Sequence, residues 1–337
     1  MISSGSVKRV AVTMGEPGGI GPEVIVKALS YAEVRDYCRP VVIGDAGVLN
    51  QAVKLSGLPL EIRSISSISN SKPAPGIIEV FNIKSSPPFK RGIPSGKAGK
   101  ALVDYIKKAV ELAKRNEIDA IVTAPISKES LKLAGYSWPG HTELLAELTN
   151  TKDFAMMFTS ERLKIILCTI HMALKDVPGK INEKLVLETI RLARMGTDML
   201  GIENPRIAAA GLNPHAGESG IMGKEELSAI APAVEKAKKE GINVSGPFPP
   251  DVVFHKAYNG EFDIIVCMYH DQGLIPFKML AFDTGVNVTV GLPVIRTSPD
   301  HGTAFDIAWK NMANPSSMLE AIKLASQLEL RVKSYEL

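Results

Sequence analysis

Four of the six histidines in this 337-residue chain, His141, His171, His215 and His270, fall in polar loops that contain Gly or Pro. Three of them directly follow an apolar run with the look of a strand. They lie tens of residues apart with no local HxxxH pair, so a metal site would have to be assembled by the fold from several strand ends. A hydrogen-bonded structural histidine is the alternative at each position. Pro139-Gly140-His141-Thr142-Glu143 closes a loop and opens a helix, where His141 and Thr142 can donate to an anion at the helix N-terminus. Glu218 and Asp271 stand close to His215 and His270, placed either to orient an imidazole, to act as further ligands, or simply to be solvated. Downstream, Lys278, Asn287 and Arg296 are polar groups in a largely apolar region, and together they suit a carboxylate or phosphate receptor.

Nucleotide chemistry leaves a fainter trace. Met14-Gly15-Glu16-Pro17-Gly18-Gly19-Ile20-Gly21-Pro22-Glu23 is a glycine-rich turn feeding a helix, able to hold an anion on exposed N–H groups or to serve only as a tight turn. It lacks the GxGxxG spacing of a dinucleotide-binding turn. Gly92 to Lys97 fails as a Walker loop as well, since its glycines are one residue too close and Ala98 stands where Ser or Thr is needed.

The elements that must position these loops are of α/β type. Short β-rich runs at 9–14, 41–43, 120–123, 164–169, 206–210, 264–268 and 286–290 alternate with amphipathic helical patterns at 22–30, 99–115, 183–200, 225–239 and 316–329. Several runs are apolar without two-residue alternation, as strands buried on both faces of a mainly parallel sheet require. The proline-rich stretch 71–96 has little periodicity and reads as an excursion or linker. Composition fits this picture: 45% hydrophobic, 22% charged, and a net charge of +3 with both signs interspersed, too slight to imply a nucleic-acid partner. Three scattered cysteines form no CxxC pair, and no apolar run approaches a signal peptide or membrane span, so a reducing cytoplasm is expected.

Taken together the loops resemble the PdxA family, the 4-hydroxythreonine-4-phosphate dehydrogenases and their close paralogues. The resemblance runs from about Val10 to Leu328. It is carried by Gly-Glu-Pro-Gly-Gly-Ile-Gly-Pro-Glu from Gly15, Thr-Ala-Pro-Ile-Ser-Lys from Thr123, Pro-Gly-His-Thr-Glu from Pro139 and Asn-Pro-His-Ala-Gly-Glu from Asn213. Met-Tyr-His-Asp-Gln-Gly from Met268 and Arg-Thr-Ser-Pro-Asp-His-Gly-Thr-Ala from Arg296 complete it. Glu16 and Gly18 depart from the family's usual Gly-Asp-Pro-Ala-Gly. The resemblance implies an isocitrate/isopropylmalate dehydrogenase-like fold, two α/β/α domains with a central cleft. The cofactor-side domain would comprise 1–140 plus 285–337, and the metal- and dimer-interface domain 141–284.

It further implies metal ligation by His171, His215 and His270, shared between the subunits of a homodimer, with Zn, Mg or Co as the ion. Substrate contacts are implied for His141, Thr142, Lys278, Asn287 and Arg296, and NAD(P) binding for the loop containing His301, Gly302 and Asp306. The implied reaction is oxidation of the secondary hydroxyl of 4-phosphohydroxy-L-threonine, then decarboxylation to 3-amino-2-oxopropyl phosphate, in pyridoxal 5′-phosphate biosynthesis. Lys278 and Asp271 are the catalytic candidates, with a metal-bound hydroxide as an alternative base to Lys278. The rival substrate is D-threonate or D-erythronate 4-phosphate, giving dihydroxyacetone phosphate, and Pro247-Phe248-Pro249-Pro250-Asp251 looks somewhat like that branch. An acyltransferase of phosphotransacetylase type shares the overall fold, but three metal histidines would serve no purpose there.

Overall fold

The computed structural model describes residues 7–85 and 89–330. The chain divides into two compact units, Met1–Thr151 with Leu292–Gln327, and Lys152–Gly291 with Leu328–Leu337.

The first unit is built on β1 (Lys8–Thr13), β2 (Cys38–Gly44), β3 (Glu61–Ile65), β4 (Ile77–Asn82) and β5 (Ala120–Thr123), joined by a strand from late in the chain, β12 (Ile295–Pro299). Their order is β3-β4-β2-β1-β5-β12, and neighbouring strands pair in parallel. All four residues of β5, and the last four of β1, are buried, because helices cover both faces of a parallel sheet and leave no position for a solvated side chain. The helix Gly96–Lys114 starts on Ser95, whose hydroxyl accepts from the Ala98 amide at 3.2 Å. It lays Leu102, Tyr105, Ile106 and Ala109 inward at helical spacing.

The second unit carries β6 (Ala155–Thr159), β7 (Lys164–Leu167), β8 (Ile207–Ala210), β9 (Val244–Phe248), β10 (Ile264–Cys267) and β11 (Val286–Val290). Their order is β11-β6-β7-β10-β8-β9, antiparallel across β11, β6 and β7 and parallel from β7 to β9. Its core gathers Phe158, Ile165, Val253, Ile265, Leu274 and Phe277, with the two phenylalanine rings 5.8 Å apart at a tilted angle.

Two expectations change. The stretch 71–96 is not a bare linker: β4 lies within it, in register with β2 and β3, and its inward Glu79 is 2% exposed and paired with Arg63 at 2.6 Å. The prolines flank the strand rather than interrupt it. The helical pattern at 225–239 is in two pieces, a π-helical turn Glu226–Ile230 and a helix Ala231–Lys239, with Pro232 at the junction where it lacks an N–H to continue the ladder. No helix among the described residues is long and apolar enough to cross a membrane.

Candidate active site

In open α/β sheets ligands gather beyond the carboxyl ends of strands, and in the first unit β5 and β12 bring an anion receptor there. Arg296 lies within β12, opposite Ile121 of β5, and is 2% exposed. Its Nη2 donates to Thr123 Oγ1 at 2.7 Å. Burial lowers the guanidinium to about 9, opposed by the charge of Glu143, so it remains a cation at neutral pH. His141 and Thr142 open the helix His141–Thr149 beside it. Burial first, and the Arg296 charge second, push His141 well below its ordinary value and keep the imidazole neutral. His141 Nε2 is buried without a hydrogen-bond partner, and Thr142 is buried at the first turn, where backbone N–H groups have no intrahelical acceptor. A buried cation, an unsatisfied imidazole nitrogen and a helix N-terminus together form a receptor for an anionic, hydroxylated ligand.

The glycine-rich turn lies against a second loop of the same unit. Gly15 has φ +69°, and a Cβ there would sit 2.4 Å from the Pro125 carbonyl, so the crossing with the loop after β5 requires glycine. Glu16 donates its amide to that carbonyl at 2.8 Å. Its side chain is fully buried, and burial raises the carboxyl to about 7 against the opposing pull of Ser130 and the Gly18 amide. Ile20 N–H reaches the Thr303 carbonyl at 3.1 Å, and Trp309 Nε1–H reaches the Pro17 carbonyl at 3.1 Å. These bonds hold the His301-Gly302-Thr303 segment onto the turn. Gly302 is exposed with open space where a Cβ would stand, and Asp306 is exposed at the start of successive turns. No helix begins after Asp306, so it caps none. An open backbone edge with an exposed carboxylate suits a ribose hydroxyl pair, and the loop fits a dinucleotide.

In the second unit the loops after β7 and β10 bring His171 and His270 together, with ring centroids 5.7 Å apart. His270 Nδ1 donates to Asp271 Oδ1 at 2.6 Å, which leaves Nε2 as the outward lone pair. Asp271 thus acts on the imidazole, the orienting role open to it from sequence. Lys278 is half-buried two turns along the same helix, His270–Ala281. Asn287 in β11 is 7% exposed and its Oδ1 is buried without a partner. His215 lies after β8 in a run with φ between 43° and 77° from His215 to Ser219, a left-handed stretch costing about 1–3 kcal/mol per strained residue. Buried Glu226 anchors the approach to it, accepting from the Leu212 and Asn213 amides at 2.8 and 2.7 Å and from Asn213 Nδ2 at 3.0 Å. Among the described residues no three His, Cys, Asp or Glu side chains group as a metal site. Two imidazoles, one oriented by a carboxylate, nevertheless form a fitting part of a divalent-cation site.

The family model described as "Pyridoxal phosphate biosynthetic protein PdxA" matches residues 36–325. The chain belongs to this family. A PdxA relative from Desulforapulum autotrophicum named 4-hydroxythreonine-4-phosphate dehydrogenase is 49% identical over 320 residues, covering 94% of each chain. Another, from Pectobacterium atrosepticum, named D-threonate 4-phosphate dehydrogenase, is 46% identical over 324 residues, covering 95% of this chain and 99% of its own. The solved structure of 4-hydroxythreonine-4-phosphate dehydrogenase from Klebsiella pneumoniae aligns with a TM-score of 0.87 at 44% identity over 94% of this chain and 98% of that one. This PdxA chain is therefore a dehydrogenase with an α/β fold. Thr123, which accepts from Arg296, and Glu226, which anchors the approach to His215, were given no role from sequence. Thr123 opened a quoted motif, but its contact with Arg296, across 173 positions, had no local signal.

Proposed function

We propose that this PdxA-family dehydrogenase oxidises 4-phosphohydroxy-L-threonine with NAD(P) and releases CO2 to give 3-amino-2-oxopropyl phosphate, as part of pyridoxal 5′-phosphate formation. The observation that carries the reading is the buried receptor in which Arg296 stands beside a neutral, unsatisfied His141, a pairing suited to an anionic hydroxy acid. His141, Thr142, Lys278, Asn287 and Arg296 are assigned to the substrate, His301, Gly302 and Asp306 to NAD(P), and His171, His215 and His270 to a divalent cation, Zn, Mg or Co.

When bound, the cation supplies Lewis acidity at the substrate's hydroxyl oxygen and the nicotinamide a hydride acceptor. Arg296 fixes an anionic group through a planar fork, and His141 orders a neighbouring oxygen without adding charge. Lys278 accepts the hydroxyl proton as the carbon surrenders hydride. Loss of the carboxylate β to the new ketone then releases CO2. Asp271 holds His270 in one tautomer.

The reading includes a homodimer with shared metal sites. Ile275 and Met279, one turn apart on the helix that begins at His270, are 59% and 82% exposed, and Phe282 at its end is 73% exposed. Such an apolar strip beside an incomplete histidine set suits coverage by a second copy. An isocitrate dehydrogenase-like two-domain arrangement, with the cofactor on the 1–140 and 285–337 side, and a cytoplasmic location, supported by three free cysteines, belong to the same proposal. The test is NAD(P) reduction with 4-phosphohydroxy-L-threonine and D-threonate 4-phosphate side by side. Higher kcat/KM for the first supports the reading; faster turnover of the second transfers the activity to sugar-acid breakdown.

A further inference from the structure

One cation on the first unit has no part in the assignments above. Arg91 is exposed, and its guanidinium carbon lies 4.4 Å from the centre of the Trp309 ring. Its Nη2 donates to Gln51 Oε1 at 2.8 Å. Among the described residues it pairs with no carboxylate, so its charge is uncompensated and most of its N–H groups remain available.

The surroundings hold it in place. Trp309 is at φ +60°, a left-handed conformation that a bulky side chain adopts only under constraint, and its indole is tied to Pro17 of the glycine-rich turn. Gly92, next to Arg91, donates its amide to the Gly18 carbonyl at 2.8 Å. A Cβ on Gly92 would come within 3.1 Å of the Phe305 carbonyl, immediately before Asp306. Arg91 therefore lies beside the Asp306 turn, its neighbour Gly92 close to the Phe305 carbonyl and its own guanidinium over Trp309.

A lone Asp306 would select NAD, since a carboxylate at the adenosine ribose repels a 2′-phosphate. A planar guanidinium stacked on Trp309, three residues past Asp306, alters that balance, because it offers a phosphate paired N–H donors from a pre-organised position. We propose that Arg91, stacked on Trp309, is a specificity residue that receives the 2′-phosphate of an adenine dinucleotide, so that NADP is accepted despite Asp306. The inference rests on the reading of 301–306 as the cofactor loop.

The test titrates 2′,5′-ADP and 5′-ADP separately into the intact protein by calorimetry, for wild type, Arg91→Gln, Arg91→Lys and Asp306→Asn, with thermal melting as the check on folding. These half-cofactors need neither substrate nor metal. Arg91→Gln is expected to weaken 2′,5′-ADP relative to 5′-ADP at least tenfold, Arg91→Lys to fall between, and Asp306→Asn to shift the ratio the opposite way. The NADP-to-NAD ratio of kcat/KM should follow. Equal weakening of both probes, or none, overturns the role of Arg91 while leaving the loop assignment intact. Failure of wild type to bind either probe overturns the loop assignment and the inference with it.

Discussion

Replacing Glu16 with Gln should stabilise the first unit above neutral pH and do little in acid. The carboxyl is fully buried, and the backbone hydrogen bond it accepts, from Gly18, is long at 3.4 Å. Burial lifts it from 4.5 to about 7. Because the folded value lies above the unfolded one, the native state retains a proton that the unfolded chain releases. Stability is therefore fullest below about pH 4.5, declines as pH rises, and levels off above about 7. At about 1.4 kcal/mol per pH unit of displacement the full loss is about 3 kcal/mol, most of which falls between pH 5 and 8. Gln carries no charge at any pH and removes that slope. Both tryptophans, Trp138 and Trp309, belong to the first unit, so urea unfolding followed by indole fluorescence reports the unit that contains Glu16. The advantage of Glu16→Gln over wild type should grow by about 2–3 kcal/mol from pH 5 to pH 8. A difference that is flat with pH, or that favours Glu16 in base, would refute the view that an uncompensated buried carboxylate forms there.

Arg296→Lys keeps the charge and loses the planar fork, so kcat/KM for the phosphorylated substrate should fall tenfold or more in steady-state assays; an unchanged value would reduce Arg296 to a structural cation. Glu226→Gln keeps one oxygen for the Leu212 and Asn213 amides but turns the Oε2 that accepts from Asn213 Nδ2 into a donor facing a donor, which should cost about 1–3 kcal/mol and loosen the loop those amides anchor. Hydrogen exchange at those two amides and metal content should report it, and unaltered protection would separate the His215 loop from Glu226. Under the proposed shared metal site, the contact between His171 and His270 on one chain would leave His215 as the residue supplied by the second copy. Mixing His171→Ala with His215→Ala subunits should then restore activity through one intact site, whereas mixing His171→Ala with His270→Ala should restore none; the reverse pattern would assign His270 to the other subunit.

The parts of this fold legible in the sequence are those where burial alone chose the residues. β1, β5, β10 and β11 stand out as apolar runs because both their faces are covered, and their trailing loops could be located from that alone. Among the strands that escaped notice, β6 is apolar and largely buried, whereas β9 and β12 have compositions that answer to something besides burial. β9 contains Gly246 and Pro247, which read as a turn, yet it pairs at the end of the strand order with an irregular register where a missing N–H is tolerated. β12 runs Ile-Arg-Thr-Ser-Pro and looks like a polar loop, although every one of its residues is buried.

The polarity that hid β12 has a physical cause in the site itself. A buried polar side chain is tolerated only where a partner awaits it, and β12 supplies two such cases: Thr297 Oγ1 donates to the Ala321 carbonyl at 2.8 Å, and Arg296 donates to Thr123. Hydrophobic periodicity fails there because the strand carries the receptor as well as the core. The histidines show the same separation of type from geometry. Their placement after strands marked them as candidates, but the approach of His171 to His270 depends on β7 and β10 being parallel neighbours, a pairing of strands far apart in the chain. The left-handed run at His215 has no signature in Pro214-His215-Ala216-Gly217-Glu218-Ser219 beyond its glycine. It follows from Glu226, which gathers the backbone amides ahead of it and whose carboxylate would crowd any side chain at Gly217 to 2.6 Å. Residue types at strand ends thus identify which side chains can do chemistry, and the choice among them is made by buried polar partners drawn from distant parts of the chain.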